Sequence, residues 1–166
     1  GTNDANTAVK GYPKGYAALY REKLISFVNS FPETNQKIYF VLAPSMRDKT
    51  LNTNLQKINT VIKEFATENG FESISSSNVL SPSNVYTLSV NGSTVRTDDG
   101  VHITSEGGKI LSDYIYKQIG ELIDLTNPNN DVAIPAIKAA GCCVTPKSST
   151  TSKNTPSGGK TTSSTS

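Results

Sequence analysis

The chain is short of the groups from which metal centres, disulfide frameworks and membrane spans are built. It has one histidine, His102, and two cysteines, the neighbours Cys142 and Cys143. Adjacent cysteines cannot build an ordinary intradomain disulfide framework. With no histidine or further cysteine beside them, they lack the ligands of a zinc site. Pairing with cysteines elsewhere in a longer protein, weak metal binding and free thiols stay open, so the pair fixes no redox compartment. No apolar run approaches the roughly 20 residues of a bilayer span, and no charged-then-apolar leader opens the chain. Neither sign of charge dominates: 16 Lys and Arg stand against 14 Asp and Glu, a net +2. The lysines are scattered singly and read as solvating, so no nucleic-acid partner is expected. No cofactor is expected either.

What is present is alternating helical and strand patterning. Apolar residues at intervals of three and four from Tyr16 to Phe31 predict a helix with one buried face, preceded by Pro13 and Gly15 and ended by Pro32. Lys37 to Ala43 (KIYFVLA) is a nearly continuous apolar run, predicting a central parallel strand buried on both faces. Thr50 is the expected cap of a second helix with the stripe Leu51, Leu55, Ile58, Ile62 and Phe65, closed by Gly70 as a left-handed cap. Phe71 to Ser75 reads as the next strand. Asn91-Gly92 predicts a type I′ hairpin turn within Val85 to Val95. Thr104 caps a last helix, with Ile110, Leu111, Tyr114, Ile115, Ile119, Leu122 and Ile123 facing inward. Helix, strand, helix, strand in this order predicts an α/β fold, a parallel sheet with helices on both faces.

After Asp124 the character changes. Asn127-Pro128-Asn129-Asn130 breaks structure, and Val132 to Ala140 is a short apolar piece containing Pro135. From Thr145 the composition is Ser and Thr with Pro, Gly and Lys, which cannot bury enough surface to fold. The organisation read from this is one domain over 1–125, a connecting segment over 126–144, and a linker or stalk over 145–166. A further domain after the stalk is conjectured.

The chemistry concentrates around His102. Asp99 lies three residues before it, so one short loop can place a carboxylate against the imidazole, fix its tautomer and leave the second ring nitrogen free to take a serine proton. The plainer alternative is a solvated loop histidine beside a helix cap. A metal reading would take Asp98, Asp99 and His102 as ligands. The opening Gly1-Thr2-Asn3-Asp4 is a second polar, loop-like motif, in which Asn3 could equally form a turn or cap.

Taken together, GTND at Gly1–Asp4 and the block Arg96–Gly107 (RTDDGVHITSEG) resemble the third and fifth sequence blocks of the SGNH (GDSL-type) hydrolases, a family of esterases and acyltransferases. The resemblance covers roughly Gly1 to Asp124. It implies a three-layer α/β/α sandwich of flavodoxin-like type, with His102 as general base, Asp99 as its orienting carboxylate and the Asn3 amide as an oxyanion-hole donor. Asp98 is the less favoured triad member. The family's nucleophilic serine sits in a Gly-Asp-Ser block, and no Gly-Asp-Ser occurs here. The block with the oxyanion glycine is missing too, and the chain has no initiator methionine, so it reads as an N-terminally truncated piece, inactive alone.

Within the chain, Ser45 is the alternative nucleophile, but it lacks a glycine-flanked elbow. It belongs to Ala43–Arg47, a candidate substrate-contacting loop at the C-terminal end of the expected strand. Arg47 and Arg96 read as surface pairs rather than ligands for an acidic substrate group. The function expected is ester hydrolysis or O-acyl transfer on an acylated small molecule or a carbohydrate such as a cell-wall glycan, in a secreted or surface-attached protein. The competing expectation is a non-catalytic adhesion or scaffolding module.

Overall fold

A computed structural model describes residues 1–11, 14–31 and 37–122. The expectations for Pro13, Pro32, Ile123, Cys142, Cys143 and the whole of 126–166 lie outside the described residues. In chain order the elements are helices α1 (Thr2–Gly11) and α2 (Tyr16–Asn29), strand β1 (Tyr39–Leu42), helix α3 (Lys49–Asn69), strand β2 (Glu72–Ser75), the short helix α4 (Ser77–Leu80), the hairpin strands β3 (Ser89–Val90) and β4 (Ser93–Thr94), and helix α5 (Ser105–Leu122).

The fold is mixed α/β. β1 and β2 pair in parallel, Tyr39 opposite Glu72 and Leu42 opposite Ser75, with α3 as the crossover between them. The apolar stripe of α3 explains its position: Leu55, Ile58, Ile62 and Phe65 are buried against Phe40 and Leu42 of β1, with Phe71 completing the cluster. The rings of Phe40 and Phe65 meet edge-on at 5.9 Å, as do those of Phe40 and Phe71. α1 and α2 pack on α3 and contribute Ala5, Val9, Tyr20, Leu24 and Val28 to the same core. Gly70 closes α3 at φ +72°, as expected.

Four expectations are corrected. Asp48, not Thr50, caps α3: its carboxylate accepts from the Leu51 amide at 2.6 Å, the geometry an N-cap side chain provides. GTND is not a loop, because Thr2 opens α1. The helix expected to reach Phe31 ends at Asn29. β1 is covered on one face only: Phe40 and Leu42 are buried, whereas Val41 is 44 % exposed because nothing among the described residues lies over it.

The hairpin forms as expected, Asn91 and Gly92 both taking positive φ (+49° and +82°) between β3 and β4. Thr104 caps α5 by accepting the Gly107 amide at 3.0 Å. The expected inward face of α5, Ile110, Leu111, Tyr114, Ile115 and Ile119, is only half-buried, since α5 packs chiefly on α4 and β4.

Candidate active site

His102 and Asp99 share one tight turn between two short extended segments. Arg96 and Ile103 form an antiparallel bridge. The Thr97 amide donates to the His102 carbonyl at 3.0 Å, and the Gly100 amide to the Thr97 carbonyl at 3.0 Å. Gly100 lies at φ +74°, and a Cβ there would stand 2.5 Å from Cβ of Arg47. Both the conformation and the space therefore require glycine.

The two oxygens of Asp99 have separate tasks. Oδ1 accepts from Thr97 Oγ1 at 2.7 Å, from the Val101 amide at 2.7 Å and from the His102 amide at 2.9 Å, which shapes the turn. Oδ2 stands 2.5 Å from Nδ1 of His102. The imidazole bond first, then the Thr97 hydroxyl and the two amides, hold the Asp99 carboxyl well below the usual carboxylate range. An ionised Asp99 has no proton to give, so Nδ1 is the donor, and in the neutral imidazole the lone pair is on Nε2. The His102 side chain is 77 % exposed. Among the described residues nothing hydrogen-bonds Nε2, and it is open to an incoming group.

The loop after β1 runs beside this turn. Its Arg47 amide donates to the Gly100 carbonyl at 3.2 Å, and Nη2 of Arg47 donates to the Asp98 carbonyl at 2.6 Å. The loop is fixed from the other side by α3. Asn59 brackets Ala43, accepting from its amide at 3.2 Å and donating to its carbonyl at 2.8 Å, while Asn52 accepts from the Met46 amide at 2.9 Å. Ser45 is fully buried and its hydroxyl donates to the Asn84 carbonyl at 2.8 Å, so it presents no nucleophile.

Asn3 is exposed in the first turn of α1, and no hydrogen bond joins it to the His102 turn among the described residues. The structure thus brings together His102 and Asp99, while Asn3, on α1, makes no hydrogen bond to either among the described residues. Among the described residues no three His, Cys, Asp or Glu side chains come together as a metal site. None of the described helices is long and apolar enough to cross a membrane.

Three residues important to this geometry escape a reading of the sequence. Asn52 and Asn59 left one signal, their seven-residue spacing along α3, which sets two polar side chains on one side of an amphipathic helix. Arg96, read as a surface residue, is 1 % exposed. A lone arginine between Val95 and Thr97 gave no sign of that.

The chain matches the family described as Protein of unknown function (DUF459) over residues 1–118, and it belongs to that family. No curated protein matches it.

Proposed function

We propose that this DUF459 protein is part of a serine-dependent ester hydrolase or O-acyltransferase of the SGNH type. The observation that carries the reading is the Asp99–His102 pair. Asp99 accepts from Nδ1 at 2.5 Å and Nε2 is exposed on the far side of the ring, which is the arrangement of a general base waiting for a hydroxyl. Nε2 takes the proton of a serine as its oxygen attacks the ester carbonyl, and returns it to the leaving alcohol. Water or an acceptor alcohol then releases the acyl group, the first giving hydrolysis and the second transfer. In this reading the serine comes from a Gly-Asp-Ser block outside these 166 residues, the core domain is a three-layer sandwich, and Asn3 serves as an oxyanion donor in the completed site. The Ser/Thr-rich tail supports a secreted or surface-attached protein acting on acylated carbohydrate or a smaller acyl ester.

The experiment uses the full natural protein containing this chain and an activated ester such as p-nitrophenyl acetate. Turnover is expected to fall on the order of 10⁴-fold in His102→Ala. Equal turnover in that variant places the activity elsewhere. A second reading, a non-catalytic adhesion or scaffolding module, is favoured by one observation: no serine among the described residues hydrogen-bonds the His102 ring. A full-length protein with no Gly-Asp-Ser block and no turnover would decide for it.

A further inference from the structure

We propose that Arg96 is the positioning residue of the His102–Asp99 pair, fixing the turn that carries them to the loop at the end of β1. This rests on the general-base reading of His102. Arg96 is the largest fully buried side chain of the described residues, and among them it forms no salt bridge to a carboxylate. Its hydrogen bonds go to main chain and sulfur. Nη1 donates to the Val101 carbonyl at 2.8 Å, and Nη2 donates to the Ser45 carbonyl and approaches Sδ of Met46 at 3.7 Å. The Tyr86 ring lies 5.8 Å from the guanidinium carbon.

A buried guanidinium carries a desolvation cost that an apolar side chain of similar volume avoids. What the guanidinium supplies is direction, since its planar fork reaches two acceptors at fixed angles. Here the acceptors lie on two separate segments. One, the Val101 carbonyl, belongs to the peptide unit that leads into His102. The amide of that same unit donates to Oδ1 of Asp99 at 2.9 Å. This one peptide plane is therefore pinned at its oxygen by Arg96 and at its nitrogen by Asp99, and its orientation sets where the imidazole leaves the main chain. The other acceptor, Ser45, sits in a loop held by Asn52, Asn59 and Asn84. Arg96 so transmits the rigidity of α3 and β1 to the base.

His102 is the only histidine of the chain, so histidine-labelled protein gives a single imidazole spectrum by NMR. With the imidazole neutral, the wild type is expected to show Nδ1 protonated in a strong hydrogen bond and Nε2 unprotonated. In Arg96→Met the protein is expected to keep a cooperative thermal transition while the Nδ1 proton signal weakens and the two nitrogens move toward an averaged tautomer. Arg96→Lys, which can reach one carbonyl, is expected to restore part of the signature. A folded Arg96→Met with the wild-type imidazole spectrum overturns the proposal. Should Arg96→Met not fold, wild-type hydrogen exchange decides. The amides of Val101 and His102 should share the protection of the Met46 amide, and exchange of the turn a hundredfold faster than Met46 contradicts the coupling. The spectrum of this chain needs no substrate, and ester turnover is read separately in the full natural protein: loss of the signature in Arg96→Met with no turnover by the full protein refutes the general-base reading alone, and turnover by the full protein with an unaltered signature refutes the role of Arg96 alone.

Discussion

At the scale of the residue, what a side chain does here depends on how far away its partners lie. Tyr20 is buried on α2, and its hydroxyl donates to Asp4 of α1 at 3.5 Å. Burial first, then the Asp4 charge and hydrogen bond, push its pKa up to about 12. Since the unfolded chain ionises Tyr near 10, the folded state keeps a proton that the unfolded state loses between those values. The stability from this group is complete below pH ~10 and disappears as pH rises toward ~12. Denaturation midpoints of wild type and Tyr20→Phe are expected to converge over that window, and a constant difference across it would contradict the assignment. The His102–Asp99 pair was legible because three residues of sequence and one turn contain all of its geometry. Arg96 was not, because its partner Ser45 lies 51 residues away and only the folded chain brings β1 and the turn together.

The elements were legible where local chemistry decides and obscure where packing does. The left-handed cap at Gly70 and the Asn91-Gly92 turn follow from backbone sterics alone, and both formed. The cap of α3 moved from Thr50 to Asp48 because two side chains within two residues could each do it, and the carboxylate bonded the Leu51 amide. α1 escaped notice because its buried residues, Ala5 and Val9, are too few and too small to print a periodic stripe. The start of α5 gives a sharp contrast between neighbours. A Cβ on Gly107 would stand 2.4 Å from the Val95 carbonyl oxygen and 2.6 Å from Ile103, whereas one on Gly108 meets nothing within 4 Å. Alanine in place of a helical glycine ordinarily stabilises by roughly 0.5–1 kcal/mol. Gly108→Ala is expected to gain that amount, and Gly107→Ala to destabilise because the contact is with backbone that cannot yield. Thermal melts of the two variants check the sign, and equal shifts would show that α5 does not press on Val95 as described.

For the whole molecule, the outcome depends on how much of its apolar surface is covered. The β1–α3–β2 unit has a dense core on the α3 side, yet among the described residues β1 pairs only with β2. Val41 is 44 % exposed, and the apolar face of α5 is only half-buried. The alternation of helices and strands was readable from periodicity. How completely the sheet is covered was not, because hydrophobic patterning shows that a face seeks a partner without showing which partner supplies it. An open strand edge beside uncovered apolar residues invites association. The 166-residue chain alone is expected to bind a hydrophobic dye and to self-associate as concentration rises, whereas a dye-silent protein that stays monomeric at high concentration would contradict this.

The proposed role of His102 as base for a serine outside these residues can be checked by covalent labelling of the full natural protein with a fluorophosphonate, followed by peptide mass spectrometry. One modified serine is expected, in a Gly-Asp-Ser block outside these 166 residues, with loss of that modification in His102→Ala. Labelling that persists in His102→Ala, or a full-length protein that takes up no label, would contradict it.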